Sequence, residues 1–155
     1  MAGRIEKRLT ELGISLPTPA APVANYVPFI VAGDLVFVSG QLPLTDGKPT
    51  FTGKVGAGVS LAEATAAARQ CFVNVLAQVR AACGGDLDRV RQVVRLGGFI
   101  AAPPDFTQHA QVMNGASDLS VAVFGEAGRH ARTTVGVPSL PLDAPVEVES
   151  VFRIA

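Results

Sequence analysis

A chain of 155 residues, 48% hydrophobic and 17% charged, carries enough apolar material for the core of one domain spanning 1–155 and lies well away from the disordered class. Thirteen basic and thirteen acidic residues cancel to a formal charge of zero, and one Tyr with no Trp leaves no base-stacking surface, so no nucleic-acid partner is expected. No apolar run reaches the roughly 18 residues of a membrane span, and the charged start MAGRIEKRLTELG lacks a signal core, which excludes a membrane partner and predicts a cytoplasmic protein.

Residues 4–12 read as a short amphipathic helix: Ile5, Leu9 and Leu12 share a face and Gly13 stops it. Pro17, Pro19 and Pro22 make 14–24 an extended connector, so 1–24 forms an N-terminal helix and its lead-in. Residues 26–31 and 35–39 read as the two strands of a hairpin turned at 32–34. Gly40 follows at the strand end, where the missing side chain admits a ligand or a second backbone, or simply serves a turn. Residues 44–59 hold Gly47, Pro49, Gly53, Gly56 and Gly58 and read as a long mobile loop, with a short strand near Phe51; the order needed for a phosphate loop is missing.

Ser60 and Glu63 form a capping box that opens a helix over 61–82, with Leu61, Ala64, Ala68, Cys71, Phe72, Val75, Leu76 and Val79 on a broad apolar face. Asn74 lies among them and is expected to bond locally. Cys71 and Cys83 are twelve positions apart on this helix, about 18 Å of rise, too far for a disulfide, so both read as small buried apolar residues in a reducing compartment. Residues 87–102 read as a strand region with a bulge at Gly97-Gly98. Pro103-Pro104 introduces a second helix over 103–124, weakened in the middle by Gly115, with His109 on its surface. Neither His109 nor His130 has neighbours at metal-ligand spacing, and no nucleophile elbow is present.

Two strands close the chain. Residues 132–137 are rich in β-branched side chains, Pro138, Pro141 and Pro145 bracket a non-helical connection, and 146–154 alternates. In that alternation Val146, Val148, Phe152 and Ile154 fall on one face, while Glu147, Glu149, Val151 and Arg153 fall on the other. A hairpin of these strands brings Arg132 towards the acidic face of its partner. An arginine fork and a carboxylate at one cavity can hold a carboxylate ligand and move a proton; the same spacing also describes a structural ion pair. The element order β-β-(β)-α-β-α-β-β predicts an α+β fold, a mixed sheet with two long helices packed on one face. Helices cover one face only, yet 35–38 and 146–154 carry apolar residues on both, so the bare face calls for a partner.

The run ARTTVGVPSLPLDAPVEVE resembles the C-terminal signature of the RidA/YjgF family, the reactive-intermediate deaminases. Tyr26, the segment Val38-Ser39-Gly40-Gln41-Leu42-Pro43 and Asn74-Val75 resemble that family's upstream motifs in order, so the resemblance runs from about residue 26 to 154. MNGASDL and FGEAGRHAR point to a longer-chained branch. The resemblance implies a chorismate mutase-like fold and a homotrimer with sites between subunits. It implies hydrolysis of 2-imino or 2-enamino acids to 2-keto acids and ammonia, with no metal or organic cofactor. Arg132 would bind the substrate carboxylate and Glu147 would handle water and proton; Tyr26, Gly40 and Thr134 would line the substrate site, and Glu149 would be structural. Thr134 stands where many members carry cysteine, and Ala110 where the D-F-x-x-x-N pattern has asparagine, with Asn114 one turn later. The alternatives are a non-catalytic trimer that binds a small carboxylate metabolite, and, against the charge balance, an endoribonuclease.

Overall fold

The computed structural model describes residues 2–19 and 24–155; positions 20–23 of the proline-rich connector lie outside the described residues. Helix α1 (Arg4–Glu11) buries Ile5 and Leu9, and Gly13, at φ +70°, turns the chain away one residue after the capping Leu12. The Asp88 carboxylate accepts from the amides of Arg4 and Ile5 at 2.8 Å each, which occupies two of the free N–H groups of the first turn and holds that carboxyl below its usual range.

Strands β1 (Phe29–Ala32) and β2 (Leu35–Gln41) form the expected antiparallel hairpin, but β1 starts at Phe29, leaving Tyr26 outside it. The expected mobile loop is instead two small ordered pieces. Strands β3 (Leu44–Thr45) and β4 (Lys48–Pro49) pair across Asp46-Gly47, both at positive φ, and β5 (Lys54–Val55) pairs with β6 (Gly58–Val59). Phe51 lies in a bend between them, packed on the core, and not in a strand. Asn74, expected to bond locally, does accept from Gln70 Nε2 one turn back at 3.2 Å, and it also donates to the carbonyls of Leu42 (2.9 Å) and Leu44 (3.1 Å), which ties the exit of β2 to the next helix.

That helix, α2 (Leu61–Ala82), opens on the capping box predicted for it: Ser60 Oγ accepts from the Glu63 amide at 3.1 Å, and Glu63 Oε1 accepts from the Ser60 amide at 3.2 Å. Strand β7 (Val90–Ala101) follows a short 3-10 turn; its register shifts come near Val90–Gln92 and Val93–Arg95, while Gly97-Gly98 pairs regularly. The bulge expected at the glycines is therefore absent. Both are needed for another reason: a Cβ on Gly98 would run into Met113, and one on Gly97 into Glu149.

Helix α3 spans His109–Phe124 and not 103–124, because two consecutive prolines disfavour helical backbone before them and 103–106 closes a separate turn. Gly115 is where α3 crosses α2: a Cβ there would collide with the Thr65 carbonyl. His109 is half-buried, its ring edge-on to Phe106 at 5.1 Å and its Nε2 against Gly136, so it is not a surface histidine.

Strands β8 (Ala131–Val137) and β9 (Val146–Ile154) end the chain. The sheet order is β1-β2-β9-β7-β8, with β7 and β8 parallel and the other neighbours antiparallel. This overturns the expected C-terminal hairpin: β8 and β9 never pair, because β7 lies between them. The fold is otherwise the α+β architecture expected, with α2 and α3 on one face. Phe152 stacks on Phe72 at 6.4 Å and meets Phe124 edge-on at 6.1 Å at the centre of the core. On the opposite face Phe37 and Val135 remain 45% and 43% exposed.

Candidate functional site

Strand parity sorts the polar side chains into two groups. On β9 the residues from Val146 to Ile154 that point to the helices are buried, so Glu147 and Glu149 project from the bare face. Glu149 pairs with Arg95 at 3.2 Å, which supports the structural part expected of it. Glu147 has no hydrogen-bond or ion-pair partner among the described residues and lies half-buried beside Gly40, where a Cβ would occupy the place of its Oε1. Burial, and then the Glu149 carboxylate, push the Glu147 carboxyl above its usual range. Gly40 is therefore required for close approach, at a register shift of β2 between Val38 and Gln41.

On β8 the order is reversed. Arg132, Thr134 and Gly136 face α3: Arg132 Nη1 donates to Asn114 Oδ1 at 2.9 Å and to Ser117 Oγ at 3.1 Å, and Gly136 abuts His109. Asn114 thus does reach the arginine from one turn beyond Ala110. No carboxylate among the described residues pairs with Arg132, and its Nε and Nη2 meet no protein acceptor there. Thr134 Oγ1 is buried and without a partner among the described residues. A cavity of about 550 Å³ opens at the far end of the strand, between Pro103, Phe106, His109, Gly136 and Pro138, and includes neither Arg132 nor Glu147.

Arg132 and Glu147 consequently do not meet within one protomer. Arg132 pairs with Leu96 of β7, and Glu147 with Phe99, three residues along and on the other side. Strand spacing puts their Cα atoms about 14 Å apart, with side chains on opposite faces. Tyr26, 56% exposed, lies in a segment pinned to the strand end before Gly40, with Ser39 Oγ donating to the Val27 carbonyl at 2.7 Å.

Sequence reasoning gave Ser117 no role at the site and weighed His130 only as a metal ligand. The signal was present: Asn114 and Ser117 are three apart on one helix face, and His130 stands two residues before Arg132, just ahead of a strand. Among the described residues no His, Cys, Asp and Glu cluster could hold a metal, and no helix is long and apolar enough to cross a membrane. Both cysteines are buried and free, and burial pushes their thiols up, Cys71 the further, so neither is a poised nucleophile.

A mixed sheet covered by two helices on one side only, with an arginine on its edge strand and a carboxylate on its bare face, defines the class of α+β protein to which this chain belongs. The chain belongs to the RidA/YjgF family: the family described as "YjgF/chorismate mutase-like, putative endoribonuclease" matches residues 6–152. Protein TCP17 of Trypanosoma cruzi is 48% identical over 99% of this chain and 96% of its own length. A 2-iminobutanoate/2-iminopropanoate deaminase of Dermatophagoides farinae is 31% identical over 91% of this chain and 94% of its own. Among solved structures, Atu1372 of Agrobacterium tumefaciens, of unknown function, is 51% identical and superposes with a TM-score of 0.92 over 97% of this chain and 92% of its own.

Proposed function

We propose that the protein hydrolyses 2-imino acids, or their 2-enamine tautomers, to 2-keto acids and ammonia, at sites assembled between copies of the chain. The observation that carries this reading is a pair of complementary half-sites on one protomer. One is a guanidinium held by two neutral oxygens, its Nε/Nη2 edge turned to no protein acceptor among the described residues. The other is an unpaired carboxylate beside a glycine, its pKa raised by burial. The first suits a substrate carboxylate, which the guanidinium edge takes with two parallel hydrogen bonds. The second suits a group that must take and return a proton.

In the reaction, water adds to the imine carbon as Glu147 takes its proton. Glu147 passes that proton to the imine nitrogen, which gives the carbinolamine; it then takes the hydroxyl proton and hands it to the amino group, and as the C–O bond becomes C=O the C–N bond breaks and ammonia leaves the keto acid behind. The imine carbon is already electrophilic, so the step calls for no cofactor. Backbone N–H groups at Gly40 and Thr134 and the ring of Tyr26 would complete the pocket. The likeness to a relative named for this reaction supports the same reading. An RNA-cleaving role finds no support in a chain of zero net charge with one Tyr and no Trp.

Because the two half-sites point to opposite faces, the reading requires a second protomer, and the exposed Phe37 and Val135 supply an apolar surface for it. A homotrimer is expected in sedimentation at micromolar protein; a monodisperse monomer would remove the site. Co-expression adds a sharper check. Homotrimers of Arg132→Ala and of Glu147→Gln should both be inactive, while statistical mixing leaves about a quarter of the interfaces with both native groups, and about that fraction of the parent rate should return. No recovery would place the reaction within single protomers.

The direct test is an assay in which a pyridoxal-phosphate dehydratase generates 2-aminoacrylate or its butyrate homologue and keto-acid release is followed with and without the protein. Acceleration supports the hydrolase. Silence, with 2-oxobutanoate still bound, would make the protein a carboxylate-binding trimer instead. Gly40→Ala should lower the rate roughly 10²-fold by displacing the Glu147 carboxylate, with Arg132-dependent binding retained.

A further inference from the structure

The two segments that mark the longer branch, MNGASDL and FGEAGRHAR, meet at Arg132. Gly128 lies in a 3-10 turn pressed so closely on the end of α3 that a Cβ there would collide with the Ser120 carbonyl. The Gly128 carbonyl accepts from Ser120 Oγ at 2.7 Å and faces His130 Nδ1 at 2.6 Å. A carbonyl can only accept, so Nδ1 carries the imidazole proton. In the neutral ring Nε2 is then an acceptor, and Ser117 Oγ, 2.9 Å away, donates its hydrogen there. The serine is left with a lone pair for Arg132 Nη1, at 3.1 Å, and Asn114 Oδ1 supplies the second acceptor at 2.9 Å. With that ring neutral, every hydrogen in the chain from Gly128 to Arg132 has one direction.

We infer that Asn114 and Ser117, the latter oriented by His130, are positioning residues that aim the Arg132 guanidinium without neutralising it. The inference rests on the carboxylate-binding role proposed for Arg132 and says what makes that role possible. A carboxylate at either position would hold the side chain at least as firmly, but would compete with the substrate for the same charge. Two neutral oxygens fix the planar fork and leave its full charge for a ligand. The expected ligand class is accordingly a small carboxylate that presents both oxygens to one guanidinium edge.

The test is titration of 2-oxobutanoate into the assembled protein, with Arg132→Ala as reference. Ser117→Ala and Asn114→Ala should each weaken binding roughly tenfold, since each removes one hydrogen bond to a charged group. Ser117→Thr, which keeps the hydroxyl, should recover most of it. Asn114→Asp is the decisive variant. Position 114 is exposed, so the chain should fold; the new ion pair should leave the melting temperature unchanged or higher, yet binding should fall as far as in Arg132→Ala. In turnover, Ser117→Ala should raise KM far more than it lowers kcat. If Asn114→Asp and Ser117→Ala bind within twofold of the parent while Arg132→Ala does not, the two residues merely tie β8 to α3 and the inference is wrong. If Arg132→Ala itself binds like the parent, the proposed carboxylate role fails, and this inference with it.

Discussion

Glu147→Gln is expected to lower keto-acid release roughly 10²–10⁴-fold, the usual worth of a positioned acid–base group. Glutamine keeps the shape and most of the hydrogen-bonding capacity but cannot take the proton from water. Glu149→Gln should cost far less, because Glu149 is already paired with Arg95. The same substitution should act on stability in the opposite sense. Burial first, and Glu149 second, push the Glu147 carboxyl up. Between the ordinary carboxylate value and that raised one, the folded protein holds a proton that the unfolded chain has released. Stability therefore falls as pH rises through that window, and the cost is fully present above it. Glu147→Gln should melt higher than the parent at neutral pH, and the difference should vanish below the ordinary carboxylate range. The parent rate should rise with pH as Glu147 ionises, and that limb should be missing in the variant. If Glu147→Gln keeps the parent rate while Glu149→Gln is dead, the two glutamates have exchanged roles.

Arg132→Ala should abolish both turnover and binding of 2-oxobutanoate. Loss of a desolvated two-point charged contact costs on the order of 2–5 kcal/mol, which is about 30- to 5,000-fold in affinity. The fold should survive, since Arg132 makes two side-chain hydrogen bonds and no ion pair among the described residues. Arg132→Lys should fail almost as badly: an ammonium at the end of a flexible stem cannot present parallel donors while also satisfying Asn114 and Ser117. Near-parent activity in the lysine variant would mean that a diffuse positive charge is enough. The expectation could not be sharpened from the sequence, where Ala110 was a departure without a resolution. In the fold, Asn114, one turn beyond Ala110, accepts a hydrogen bond from Arg132.

What could be read without the fold was local. Ser60 and Glu63 specify the start of α2 through bonds between neighbours three residues apart, and the helix spans Leu61–Ala82 as its pattern predicts. The alternation of residues 146–154 correctly separated Glu147 and Glu149 from the core, because a strand's period of two is a property of its own backbone. The family motifs, read in order, led to the right fold. What the sequence could not contain was the neighbour of each strand. The proline-bracketed turn after Val137 suits a hairpin as well as a crossover, and only tertiary packing inserts β7 between β8 and β9. That insertion puts Arg132 and Glu147 two strands apart, the register of β7 with each neighbour turns them to opposite faces, and the proposed site therefore depends on a second protomer. The same holds for the glycines: Gly97, Gly98 and Gly115 read as bulge and helix-breaker, whereas each is a point where a side chain or backbone from a distant element fills the space of a Cβ. Local propensity determines which backbone a residue adopts; which atoms lie against it depends on contacts far apart in the chain, and those exist only once the sheet has assembled.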